Sequence, residues 1–192
     1  MTSRGNRRCE IYRDGADRKY FLALVSNVVE RFGWLVHAYC LMTNHYHLVV
    51  RTPLANISGG MQRLNAMHAQ WFNWRYNLSG HLFQDRFHSV DVEDQSHFAE
   101  LSRYVVLNPV RAGITDHPGA YRWSSYRATV GSVARPDFLA CDAILEEFGH
   151  RLDDAQAAYA SFVKAGIEDA LRVRSGHGPG LTPDVAFGAM AA

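Results

Sequence analysis

Long apolar runs are missing from this chain of 192 residues. Nothing approaches the roughly 18 to 20 consecutive apolar residues of a membrane-spanning helix, and the opening Met1-Thr-Ser-Arg-Gly-Asn-Arg-Arg8 lacks the apolar stretch of a signal peptide. The expectation is a soluble, cytoplasmic protein with no membrane partner. Cysteine is scarce: Cys9, Cys40 and Cys141 are odd in number, widely spaced and form no CxxC. That pattern argues against a disulfide framework and against a thiolate zinc site. Lysine is nearly absent, with only Lys19 and Lys164 among 20 basic residues, and no repeat of 20 to 50 residues is visible. What is present is 47% hydrophobic and 12% aromatic, enough to bury a core.

The formal charge of +1 conceals an asymmetry. Residues 1–135 hold 16 of the 20 basic and 10 of the 19 acidic residues, a net +6, and the remainder carries −5. A basic body whose cations are almost all arginine points to phosphate recognition, because the planar guanidinium binds phosphate through two parallel bonds. An arginine-rich solvated surface gives the same composition.

Residues 4–13 read as a short polar strand or arm with a turn at Gly5. Residues 16–32 carry Phe21, Leu22, Leu24, Val25, Val28 and Val29 at helical spacing, closed by Gly33. Residues 34–41 and 45–51 are two β-type runs around Met42-Thr43-Asn44, hence antiparallel neighbours. A helix is predicted over 57–76, with Met61, Leu64, Met67, His68, Trp71 and Phe72 in register; Trp71, Phe72, Trp74 and Tyr76 are read as core or rim. A further β-type stretch covers 82–92, strongest from Arg86, and a helix covers 95–107 before Asn108-Pro109 halts it. Shorter helices are predicted over 123–130, 137–148 and 153–165, and the end from Ser175 as loosely ordered. The order predicts an α+β fold, a ferredoxin-like antiparallel sheet of four strands with helices on one face, plus a C-terminal helical extension. Composition divides it into a domain at 1–133 and an acidic extension at 134–192.

The most informative segment is Asn44-His45-Tyr46-His47. In a strand, His45 and His47 point to one face and Tyr46 to the other, so two imidazoles stand side by side as half of a divalent-metal site. A pair of hydrogen-bonded strand histidines has the same spacing. On the following helix Glu100, Tyr104 and Asn108 are spaced i, i+4 and i+8 along one face. Asn108 has a carbonyl oxygen for a hard cation such as Mg²⁺ or Mn²⁺, and Tyr104 a phenolic oxygen able to attack phosphorus. Core packing is the competing reading of a helix tyrosine.

The segments Thr2-Ser-Arg-Gly-Asn-Arg7, His37-Ala-Tyr-Cys-Leu-Met-Thr-Asn-His-Tyr-His-Leu-Val49, Gly80-His-Leu-Phe-Gln84 with Arg86-Phe87, Tyr104-Val-Val-Leu-Asn-Pro-Val-Arg-Ala-Gly113 and Trp123-Ser-Ser-Tyr126 resemble, in order, the motifs of the IS200-like single-tyrosine (HUH) transposases. Within these the chain is most similar to the REP-associated tyrosine transposase group, over about residues 2–131. The resemblance implies that His45, His47 and Asn108 hold Mg²⁺ or Mn²⁺ and that Tyr104 attacks single-stranded DNA to give a 5′-phosphotyrosine and a 3′-OH. It also implies a single-stranded and hairpin DNA partner, and a protein that is a monomer or homodimer. Arg4, Arg7, Arg8, Arg63, Arg86, Arg103 and Arg111 are the candidate phosphate contacts, with His88 and Glu100 as possible helpers in proton transfer. Two departures stand out. Met1 directly precedes the first motif, so the first strand is expected to be short. Asp85-Arg86-Phe87-His88 replaces the usual glycine, arginine, aromatic and lysine, putting a titratable group where a fixed charge is common. The alternative reading is a domesticated, catalytically weak hairpin-DNA-binding protein; a metal hydrolase without covalent catalysis leaves Tyr104 and Asn108 unexplained.

Overall fold

The computed structural model describes residues 1–91 and 96–174. The β-type stretch at residue 92, the start of the helix predicted from residue 95, and the loosely ordered end from residue 175 lie outside the described residues. The chain forms two compact units, Met1–Ser89 with Pro136–Ala140, and Val90–Arg135 with the chain from Cys141 onward. No helix among the described residues is long and apolar enough to cross a membrane.

In the first unit β1 (Thr2–Arg4), β2 (Leu35–Leu41) and β3 (His45–Arg51) form an antiparallel sheet in the order β1-β3-β2. Helices α1 (Gly15–Phe32) and α2 (Ile57–Tyr76) cover one face. Tyr46 of β3 shows this directly. Its ring lies 4.7 Å from Phe21 of α1, and its hydroxyl donates to Asn65 of α2 at 2.5 Å. The α+β class with helices on one face is therefore the observed architecture.

The predicted fourth strand is reduced to two bridges. Residues 82–88 meet the edge at Thr2–His88 and Gly5–Phe83 only, with Thr2 and His88 exchanging both main-chain bonds at 2.9 Å. Gln84, Asp85 and Arg86 between the bridges are all exposed, so no inward apolar row holds a longer ladder. At the other edge Leu139 bridges Val36, and Phe138 packs 5.8 Å from the Tyr39 ring. Burying these two side chains at the sheet shortens the helix expected over 137–148 to Asp142–Leu145.

Local chemistry sets the helix limits. Asp14 caps α1 by accepting from Ala16 and Asp17 main-chain N–H, while the Asp17 carboxylate accepts from that of Asp14. Gly33 at φ 66° and Asn77 at φ 51° end α1 and α2 in the left-handed conformation. Asp17, fully buried, also pairs with Arg75 and accepts from Tyr76 at 2.9 Å, tying the start of α1 to the end of α2. Gly60 allows α2 to lie against Trp34: a Cβ there falls 2.1 Å from the indole. Phe72 is core as expected, but Trp74 is 79% exposed. The buried stripe of α2 runs through Leu64, His68 and Phe72, and two residues further on turns the side chain about 200° away.

The second unit contains α3 (Ser96–Val106), α4 (Asn108–Arg111), α5 (Tyr126–Thr129), α6 (Asp142–Leu145), α7 (Leu152–Ala165) and α8 (Ile167–Arg174). α7 buries Ala155, Tyr159 and Val163, one per turn, and the Tyr159 and Ser102 hydroxyls meet at 2.7 Å. The C-terminal helices thus pack on α3 and α4, the elements that carry Tyr104 and Asn108. The sequence reading had no counterpart for α8.

Candidate functional site

The pleat of β3 places His45 and His47 on the sheet face opposite the helices, with ring centroids 5.0 Å apart. Register extends this face. Thr2 lies opposite His47, and Arg4 opposite His45. His88, bridged to Thr2, joins the same cross-sheet row. Asn44 orients His45 from the turn before β3. Its Oδ1 lies 2.7 Å from His45 Nδ1, and its Nδ2 donates to the Arg8 carbonyl at 3.0 Å. Because the amide oxygen can only accept, the His45 proton sits on Nδ1 and a lone pair remains on Nε2. Burial, assisted by the Arg4 charge, pulls His45 down to about 4, so the ring is neutral at neutral pH, the state a metal requires. His47 is 1% exposed. Among the described residues no group of three or more His, Cys, Asp or Glu gathers to hold an ion. Two neutral imidazoles on one sheet face are suited to supply part of the ligand set of a divalent ion.

Asn44 also anchors an arginine-bearing turn. Its main-chain carbonyl accepts from Gly5 N–H at 2.8 Å, and Arg7 and Arg8 follow at φ 52° and 59°. Both side chains are exposed, as is Arg86. Arg63 donates to Asn27 of α1 at 3.3 Å.

The tyrosine and the third candidate ligand belong to the other compact unit. The sequence places Asn108 at the end of the Tyr104 helix; in the structure α3 stops at Val106 and Asn108 begins α4. Pro109 is the cause, since it has no N–H for the Val105 carbonyl one turn back. Asn108 Nδ2 substitutes, donating to Tyr104 O at 3.0 Å and Val105 O at 3.3 Å, so that neither of these bonds uses Oδ1. Tyr104 is 6% exposed. Arg111 Nη1 donates to the same Tyr104 carbonyl at 2.7 Å, and its guanidinium lies 4.4 Å from the Tyr104 ring centre. Burial lowers the Arg111 pKa, partly countered by the Tyr104 phenol. Glu100 and Arg103 pair with each other at 2.5 Å, and Arg103 also stacks on Phe162 at 4.3 Å. Of the seven candidate arginines, then, Arg63, Arg103 and Arg111 have partners inside their own unit. Asn44 and the Arg111–Tyr104 contact were missed in the sequence. An amide directly before an HxH pair was the signal for the first.

A family model described as Transposase IS200 like matches residues 3–108, more than half of the chain, and the chain belongs to this family. Its fold is similar to that of a solved structure described as the REP-associated tyrosine transposase bound to a REP hairpin. The TM-score is 0.58 at 16% identity, covering 72% of this chain and 82% of that one. No curated protein matches in sequence.

Proposed function

We propose that this IS200-like transposase is a metal-dependent, HUH-type single-stranded DNA endonuclease and strand transferase. It cleaves and rejoins DNA at hairpin, REP-like ends through a 5′-phosphotyrosine on Tyr104. The observation that carries this reading is the His45–His47 pair on one sheet face, with His45 held neutral and its Nε2 lone pair kept available by Asn44. The similarity to a transposase in complex with a REP hairpin supports the choice of DNA.

His45, His47 and Asn108 Oδ1 are the residues that would hold Mg²⁺ or Mn²⁺, and the ion would supply neutralisation of the charge that develops on the phosphate. Arg4, Arg7, Arg8 and Arg86 bind the phosphates on either side. Tyr104 Oη attacks the phosphorus in line: the Oη–P bond forms, the P–O3′ bond breaks, and the proton lost by the phenol is balanced by one gained at the departing 3′ oxygen. Rejoining reverses the traffic. An incoming 3′-OH forms O3′–P, the P–Oη bond breaks, the phenol regains a proton, and phosphodiester energy is conserved without ATP.

Incubating the protein with single-stranded hairpin oligonucleotides and Mn²⁺ tests this. The expected result is a denaturation-resistant protein–DNA adduct, lost in Tyr104→Phe, with His45→Ala and His47→Ala abolishing cleavage while retaining much of the binding. Binding without an adduct in the unmodified protein refutes the reading in favour of a domesticated hairpin binder. Cleavage retained in Tyr104→Phe refutes it in favour of a metal hydrolase.

A further inference from the structure

We infer that Arg111 is a positioning residue for Tyr104, not a contact to DNA phosphate: it grips both the main-chain carbonyl and the ring face of the tyrosine and so sets the direction in which the phenol is presented. The inference rests on the reading of Tyr104 as nucleophile.

Two contacts from one guanidinium fall on one residue. Nη1 donates to Tyr104 O at 2.7 Å, and the guanidinium carbon lies 4.4 Å from the ring centre. The first fixes the peptide plane at the end of α3 and the second limits rotation of the ring, so together they restrain the path from Cα to Oη. Asn108 Nδ2 reaches the same carbonyl at 3.0 Å, giving it two side-chain donors where Pro109 interrupts the helical ladder. Arg111 is itself fixed, because its N–H donates to Leu107 O at 3.0 Å and holds the α4 turn closed. A planar fork serves this double role and a lysine does not: an ammonium can approach a ring or a carbonyl, but has no flat face to stack while one edge hydrogen-bonds. A guanidinium half-buried and engaged on both its edge and its face is poorly disposed to release counterions from a DNA backbone.

The discriminating experiment compares the full-length protein with Arg111→Lys and Arg111→Gln. The readouts are single-turnover adduct formation at saturating hairpin oligonucleotide and Mn²⁺, hairpin affinity across a salt series, and the proton spectrum of the Arg111 guanidinium. Positioning predicts adduct formation slowed roughly 10- to 100-fold in both variants, since small misplacements of a reacting group cost rates of this order. Affinity and its salt slope stay within about twofold of the parent. In the parent protein and in Tyr104→Phe the guanidinium protons are shifted upfield by the ring current, and in Tyr104→Leu the shift is lost. This last readout leaves Arg111 intact and holds even where an Arg111 variant folds poorly. A salt slope reduced by about 1 with weakened affinity marks a phosphate contact and overturns the inference, as does a parent-like rate in Arg111→Lys. An adduct formed equally by parent and variants sinks only the role of Arg111. A parent that forms no adduct sinks the nucleophile reading and this inference with it.

Discussion

His68 is a proton-linked stability element, and its contribution can be worked out from its surroundings. It is fully buried on α2 among Tyr12, Phe21 and Phe72, with Nε2 2.8 Å from the Ile11 carbonyl. A carbonyl only accepts, so Nε2 carries the proton, and Nδ1 has no hydrogen-bond partner among the described residues. Burial lowers its pKa from 6.5 to about 4, against the opposing effects of the Ile11 bond and the Asp17 charge. The sign follows from proton counting. Between the two values the unfolded chain binds a proton that the folded one does not, so the contribution is complete above pH 6.5 and lost as pH falls toward 4. From about pH 7.5 to about pH 4.5 the loss is about 2 to 3 kcal/mol. Burial also lowers His37 and His45, which add in the same direction, whereas Asp14, held to about 2 first by its bond from Arg75, acts below this window. The assay is therefore a double difference: urea unfolding at the two pH values for the parent and for His68→Gln, which keeps an amide donor for Ile11 and does not titrate. The pH-dependent loss should shrink by about 2 to 3 kcal/mol in the variant. A change below about 0.5 kcal/mol refutes the assignment.

Asn44→Ala removes the acceptor that fixes the His45 tautomer; Mn²⁺ affinity measured by calorimetry should fall roughly 10- to 100-fold, and unchanged affinity means that Asn44 does not organise the site. Gly60→Ala drives a methyl into the Trp34 ring and should cost about 2 to 3 kcal/mol in chemical denaturation, with parent-like stability showing that the indole has room to move. Asp17→Asn leaves Arg75 without its buried partner and should cost about 3 kcal/mol or more, read as a lowered melting temperature; an unchanged melt refutes the claim that this pair joins the two helices.

The elements legible in the sequence are those with a strong period or a strong stop. α2 runs over the predicted residues 57–76, and Gly33 and Asn77 end helices as left-handed caps. What was hidden is what tertiary contact decides. Residues 137–140 have helix-compatible composition, but Phe138 and Leu139 gain more burial at the sheet edge. Residues 82–88 have β-type composition, but their polar centre leaves only bridges. Within the candidate site the histidine face was legible because the strand period is 2. The grip of Arg111 on Tyr104 was not, since it depends on the proline-induced break that turns α4 back toward the end of α3.

Two consecutive arginines in the left-handed conformation, Arg7 and Arg8, oppose the intrinsic preference of L-residues by about 1–2 kcal/mol each. Glycine carries no such penalty at these positions. With Arg7 and Arg8 as the proposed phosphate contacts, folding and DNA handling make conflicting demands on the same two codons. A library sorted for protease resistance should accumulate glycine there, and the same library sorted for strand joining should keep arginine.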